Sequence, residues 1–280
     1  MAARVVARER LGGLLWLTVS VPGWSPASPG QFALLHAEPS SCFLPRAFSV
    51  AAQDGDRVSF LIAPVGVGTN ELDALRADEP VWVTGPLGNG FAIPDVRGLG
   101  EPVRSAAAPG APPRLVLVAG GVGAAPFSLF LDQWALRAGE DPGEVLVLLG
   151  FRDAFHAVGA APAEGAAARL TAAGGDCSVE VCTEDGSRGP KMLVTELLAG
   201  HLRFDDRVLV CGPRPMMEAV WDVCRRARVE RAWFSLETNM ACGVGSCHGC
   251  AVTLADGSLA RVCHEGPVFA GVSVYGGEAQ

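Results

Sequence analysis

The sequence predicts a small antiparallel β-barrel, then a doubly wound parallel-sheet α/β domain, then a short cysteine-rich module. Three observations carry this reading. Residues 1–98 hold short apolar runs at even spacing, punctuated by Pro22-Gly23, Pro29-Gly30, Asp54-Gly55 and Gly85-Pro86, which is the pattern of a small barrel. Residues 114–236 alternate strand-like and helical runs, which means a parallel sheet. Residues 237–280 carry cysteines at ligand spacing. Residues 99–113, rich in Ala and Pro, read as a linker.

In the barrel, the predicted strands are Leu14–Val21, Gln31–His36, Ala47–Ala51, Val58–Pro64 and Val81–Thr84. The N-terminus, with Arg4, Arg8 and Arg10 before Leu11–Val21, faintly resembles a signal peptide. Glu9 sits in the would-be basic region and no small-residue cleavage site follows, so a barrel hairpin is the expectation. Arg46-Ala47-Phe48-Ser49 is a notable tetrad. On a strand, Arg46 and Phe48 share one face. A guanidinium suits a pyrophosphate, an aromatic ring can lie against an isoalloxazine, and Ser49 can bond the flavin edge. Gly66-Val-Gly68-Thr69 precedes an apparent helix. It reads either as a phosphate cradle or as a capped helix start.

In the α/β part, Leu115–Ala119 is a buried strand. The seventeen residues Leu115–Leu131 lack charge, but Gly120, Gly121, Gly123 and Pro126 make them strand–turn–helix rather than a membrane span. Helical period then puts Phe127, Phe130, Leu131 and Trp134 on one face. Val145–Leu149 and Val179–Cys182 are strands, Met192–Leu198 is helical, Val208–Cys211 is a strand, and Met217, Val220, Trp221 and Cys224 mark a helix before the strand Ala232–Leu236. Glycines at 120, 121 and 123 admit a pyrophosphate to backbone amides at a helix start. Cys211-Gly212-Pro213 ends another strand at the same sheet edge, where ligands lie in such folds. Cys211 reads as a nucleophile or as packing beside a nicotinamide; no general base partners it.

The tail reads Cys242-x4-Cys247-x2-Cys250-x12-Cys263. This is the ligand spacing of a plant-type 2Fe–2S cluster, and Gly243, Gly245 and Gly249 give the loop the turns it needs. A structural zinc site is the competing reading, though zinc sites come as paired C-x2-4-C units. A Rieske centre needs histidine ligands; four cysteines complete the set without His248 or His264. Of the 9 cysteines, Cys42, Cys177, Cys182, Cys211 and Cys224 are scattered in apolar runs and read as core residues. Free thiols beside a cluster imply a reducing, cytoplasmic compartment. A formal net charge of −8 over 280 residues argues against nucleic-acid binding, which needs a basic face.

In order along the chain, the tetrad, the Gly66–Thr69 loop, Gly85-Pro-Leu-Gly-Asn-Gly-Phe91, Gly120–Pro126 and Cys211-Gly-Pro213 resemble the ferredoxin reductase–like flavoproteins. The tail, Glu237-Thr-Asn-Met-Ala-Cys242 to Cys250 with Val262-Cys-His-Glu-Gly-Pro-Val-Phe269, looks like that of the electron-transfer subunits of class 1B dihydroorotate dehydrogenases. Many relatives have proline where this chain has Ala47, and Phe48 lacks the hydroxyl of the tyrosine in more distant reductases. The resemblance implies FAD on the barrel, held by Arg46–Ser49 with Gly66, Gly68 and Thr69. It implies NAD(H) at Gly120, Gly121, Gly123 and Cys211–Pro213, and a 2Fe–2S cluster on Cys242, Cys247, Cys250 and Cys263. Arg152 and Asp153 follow the second α/β strand and favour a 2′-phosphate and a free ribose respectively; the resemblance points to NAD. It also implies an FMN-containing dihydroorotate dehydrogenase partner in a heterotetramer of two chains each, in pyrimidine biosynthesis. Part of the tail's apolar set Met240, Val244, Val252, Leu254, Val268 and Phe269 is expected to dock that partner. No side chain is expected in acid–base catalysis. A flavin/iron–sulfur subunit of a sulfide dehydrogenase, NADP–ferredoxin oxidoreductase or hydrogenase is the alternative.

Overall fold

The computed structural model of the chain describes residues 2–91, 114–136 and 143–276. The linker expected at 99–113 lies outside them.

Six strands close the barrel: β1 (Ala2–Leu11), β2 (Leu14–Ser20), β3 (Phe32–Ala37), β4 (Arg46–Asp54), β5 (Arg57–Ile62) and β6 (Pro80–Leu87), in the order β1-β2-β5-β4-β3-β6. The N-terminal stretch is the β1–β2 hairpin. Alternate residues of β2 turn inward, so Leu15, Leu17 and Val19 meet Val58, Phe60 and Ile62 of β5 in the interior. A short helix, α1 (Val67–Ala74), follows β5.

The second lobe is built on β7 (Leu115–Gly120), β8 (Glu144–Phe151), β9 (Asp176–Thr183), β10 (Arg207–Cys211) and β11 (Ala232–Ser235), all parallel. Its helices are α2 (Ala125–Ala135), α3 (Ala154–Ala157), α4 (Ala161–Ala172), α5 (Val194–His201) and α6 (Arg214–Arg226). The helix α2 joins the lobes. Phe127, Phe130, Leu131 and Trp134 face the sheet, while Leu129 enters the barrel core.

The tail forms a hairpin, β12 (Ala251–Thr253) and β13 (Leu259–Arg261), then β14 (Val268–Ala270) and α7 (Gly271–Tyr275). β14 pairs antiparallel with β11, so the tail returns to extend the α/β sheet to six strands. α3 and α4 also escaped the sequence pattern. The buried face of α4 consists of Ala163, Ala166, Ala167 and Leu170, which offers little hydrophobic contrast.

Candidate functional site

β4 begins at Arg46, so the tetrad forms its first four residues. Phe48 turns toward the barrel core, where its half-buried ring packs. Ala47 turns the other way, into an apolar cluster shared with the cysteine lobe, and Ser49 follows it by period two. The Arg46 guanidinium donates to the Leu44 carbonyl at 2.6 Å and lies 3.5 Å from the Cys42 sulfur. Gly68 lies flush against it. A Cβ there would sit 3.3 Å from the guanidinium carbon and from the Cys42 sulfur. The structure thus brings Arg46 and the Gly66–Thr69 turn together.

Gly66 caps α1. The Thr69 hydroxyl accepts the Val65 and Gly66 N–H groups at 3.0 Å each and donates to the Gly66 carbonyl at 2.9 Å. Thr69 therefore braces the turn, and the first-turn amides of α1 are the groups left for an anion. Glu71 anchors the facing loop by accepting from the Ser40 hydroxyl and from the Ser41 N–H and hydroxyl. These bonds, Ser40 first, hold its carboxyl down to about 2.

At the carboxyl edge of the sheet, a 3-10 turn, Gly121–Ala124, links β7 to α2. Gly121 is left-handed, with φ +55°. A Cβ on Gly123 would lie 2.2 Å from the Cys211 carbonyl oxygen, and one on Gly120 would lie 2.6 Å from the Met216 sulfur. The glycine turn and the Cys211-Gly212-Pro213 turn are pressed together. Cys211 is fully buried, and burial pushes its thiol above the ordinary range. A thiol held protonated is a poor nucleophile, which favours the packing reading. Glu237, two residues beyond β11, is open to solvent, yet desolvation by the protein around it raises its carboxyl, and its charge reaches Cys211. In the sequence Glu237 is marked only as the first residue of the tail. Asp153 caps α3, accepting the His156 N–H at 2.9 Å and contacting its ring Nδ1 at 2.7 Å.

The four tail cysteines come together in one loop system. Cys250 and Cys263 sulfurs are 3.2 Å apart, and the Cys247 backbone N–H lies 3.5 Å from the Cys242 sulfur. Each sulfur faces a backbone N–H: Cys242 that of Cys247, Cys247 that of Gly249, Cys250 that of Cys263, and Cys263 that of Gly245, at 3.1–3.5 Å. Bonds from the Ser246 hydroxyl, then from the Cys247 and Val244 amides, hold the Cys242 thiol down to about 5. Burial and the Cys250 thiol push Cys263 up to about 12. Among the described residues no three His, Cys, Asp or Glu side chains form a single-ion site. Two cysteine pairs with amides on every sulfur fit a cluster of two irons. Gly243 and Gly245 are left-handed, at φ +70° and +80°. A Cβ on Gly243 would strike Leu34 of β3 at 2.7 Å.

The cysteine lobe is seated on the barrel. Phe32 and Leu34 of β3 share one apolar cluster with Cys250, Val262, Cys263 and Phe269, and Ala47 and Leu87 pack against it. Asn89, after β6, clamps the join: its Nδ2 donates to the Glu265 and Val268 carbonyls at 3.0 and 2.9 Å, and its Oδ1 accepts the Val268 N–H at 2.9 Å. The sequence showed Asn89 only as a polar residue between Gly88 and Gly90.

A closed six-stranded barrel, a parallel nucleotide-type sheet and a four-cysteine lobe against the barrel define a ferredoxin reductase–like iron–sulfur protein. Residues 237–275 match the model of the iron–sulfur cluster binding domain of dihydroorotate dehydrogenase B, and residues 117–222 match the oxidoreductase NAD-binding domain. The chain is 36% identical over 245 residues to the dihydroorotate dehydrogenase B (NAD(+)) electron transfer subunit of Clostridium perfringens, covering 88% of this chain and 86% of that protein. It is 32% identical to the subunit of the same name from Caldanaerobacter subterraneus, covering 96% of both. Among solved structures it resembles an NADH-dependent reduced ferredoxin–NADP oxidoreductase, studied for flavin-based electron bifurcation, with TM-score 0.73 and 25% identity over 97% of this chain and 88% of that one. The chain belongs to the family of electron-transfer subunits of dihydroorotate dehydrogenase B.

Proposed function

We propose that this chain is the oxidoreductase subunit that links dihydroorotate oxidation in a catalytic partner to NAD in pyrimidine biosynthesis. The observation that carries the reading is the seating of the cysteine loop on the strands that bear the Arg46–Ser49 tetrad. When bound, FAD interconverts the electron pair of NAD(H) with single electrons, and a 2Fe–2S cluster carries those singly.

The chain's own residues bind and orient. Arg46 supplies a fixed cation beside the orphan amides of α1, a site for the FAD pyrophosphate. Gly121 gives the turn at the start of α2 its left-handed step, Gly123 lets that turn close on the Cys211 carbonyl, and Cys211–Pro213 form the facing wall of the dinucleotide site. Cys242, Cys247, Cys250 and Cys263 hold the irons, and the amide on each sulfur offsets negative charge there. No side chain is assigned a proton-transfer role. The partner is an FMN-bearing dihydroorotate dehydrogenase subunit, two copies of each chain assemble, and the complex works in the cytoplasm. Among the described residues no helix is long and apolar enough to cross a membrane.

The resemblance to the ferredoxin–NADP oxidoreductase keeps one second reading in view, a subunit of that kind of complex. Anaerobic co-expression with a dihydroorotate dehydrogenase catalytic subunit separates the two. The proposal expects a stable complex with NAD+-linked dihydroorotate oxidation. Failure to associate, with NADH-dependent ferredoxin reduction instead, selects the second reading.

A further inference from the structure

One and two turns along α2 from the glycine turn, a cleft of about 300 Å³ separates the barrel from the α/β domain. That volume is at the small end of small-molecule sites. β1, β2 and β4 form one wall, and α2 and α4 the other.

Three features mark it as more than a packing gap. Gly165 lies inside α4, an alanine-rich helix where glycine is the poorer helix former. A Cβ there would meet only the Arg169 guanidinium, at 3.5 Å, so no close approach requires the glycine. What it does is keep the α4 wall open. Ser128 is 3% exposed and lines the cleft, which puts a hydroxyl on its α2 wall. Glu9 and Trp16 are cross-strand partners in β1 and β2 and both line the cleft, setting a carboxylate beside an indole.

The charge balance selects the occupant. Arg169 is held by Asp132 through two bonds, at 2.8 and 3.0 Å. Arg8 and Arg10 belong to the opposite face of β1 and are both held by Asp73. The Glu9 carboxylate is left uncompensated, which repels anions and favours donors.

We propose that this cleft binds a small, flat, phosphate-free nitrogen heterocycle of the nucleobase or nucleoside class. Its ring lies along Trp16, and its N–H donors reach Glu9 and Ser128 from opposite walls. The occupant bridges the barrel and α2, the helix whose first turn forms the dinucleotide site.

The test is calorimetric titration of the holo-chain with cytidine, with NAD+ saturating so that the dinucleotide site is filled. Cytidine is expected to bind with a Kd at or below ~1 mM, with cytidine monophosphate at least ~10-fold weaker. Gly165→Leu, which raises helix propensity and fills the cleft, is expected to abolish binding without lowering Tm. Glu9→Gln is expected to weaken binding by about tenfold as an independent check on an exposed side chain. Three results each overturn the proposal: no binding of cytidine or cytosine up to ~10 mM, undiminished affinity in a folded Gly165→Leu, or monophosphate binding as tight as the nucleoside.

Discussion

Asn89 and Val268 hold each other in both directions, the side-chain amide standing in for a strand partner: Nδ2 donates to the Val268 carbonyl and Oδ1 accepts the Val268 N–H, each at 2.9 Å. With the bond to the Glu265 carbonyl at 3.0 Å, one side chain fastens the cysteine lobe to the end of β6. Asn89→Ala removes three bonds, worth roughly 1.5–4.5 kcal/mol together at about 0.5–1.5 each. The expected result is a lower Tm and a weakened cluster signal after NADH addition, with NADH–ferricyanide activity retained. Unchanged Tm and cluster reduction would show that the apolar seat alone holds the lobe.

Cluster assembly should depend on four of the nine cysteines. Cys247→Ser is expected to lose iron and acid-labile sulfide. Cys224→Ser is expected to keep both, because Cys224 is a core residue of α6 whose thiol burial pushes up to about 12. Iron and sulfide assays on anaerobically purified protein decide this; stoichiometric zinc in place of iron would refute it.

The glycine turn gives a contrast between two neighbours. Gly123→Ala places a methyl 2.2 Å from the Cys211 carbonyl oxygen and should force the two turns apart, raising KM for NADH at least tenfold. A Cβ on Gly121 meets nothing within 4 Å, so Gly121→Ala bears only the cost of φ +55°, on the order of 1–2 kcal/mol. Steady-state kinetics on both variants give the comparison. Equal effects would mean that backbone conformation, not turn contact, governs the site.

At the barrel, Arg46→Ala is expected to weaken FAD retention by about 1.5–3 kcal/mol, the loss of a charge-assisted bond. Chromatography of the released flavin measures this, and recovery of FMN alone would count against a dinucleotide site. Glu71 adds a pH dependence. Its folded carboxyl sits at about 2, below the ordinary 4.5. Its contribution is therefore present above about 4.5 and lost as pH falls toward 2. Glu71→Gln should flatten the acid limb of the stability curve in that window.

The barrel strands were legible because turn residues punctuate them and β2 alternates inside and out. The sheet was legible because its central strands are continuous apolar runs. α4 was hidden by its alanines, and β14 by lying beyond the cysteines, where only tertiary pairing with β11 reveals a strand. The cysteine ligands were visible through spacing, which needs no tertiary information. Asn89 and Glu237 carry no pattern in the sequence that marks them. Their importance depends on what the fold brings against them, Val268 in one case and Cys211 in the other. Thr69 shows the reverse: the motif suggested a phosphate ligand, and the structure spends its hydroxyl within the turn.

The tail exposes fewer of its apolar side chains than its composition implied. Met240, Val252, Leu254 and Phe269 join the apolar cluster under the cysteines, and Val268 joins the core of the α/β lobe. Val244 stays 53% exposed, as does Leu259 at 72%, in the same lobe as the exposed Cys247. Apolar side chains left open beside a redox centre fit a docking surface. Leu259→Glu is expected to weaken co-purification with the FMN subunit at least tenfold. It should leave iron content and NADH–ferricyanide activity intact, since the Leu259 side chain is mostly exposed. Val244→Ser is the second probe, read with an iron assay because it neighbours the ligand loop. Light scattering of the wild-type complex should give two copies of each chain. A complex that survives both substitutions would place the partner on another face.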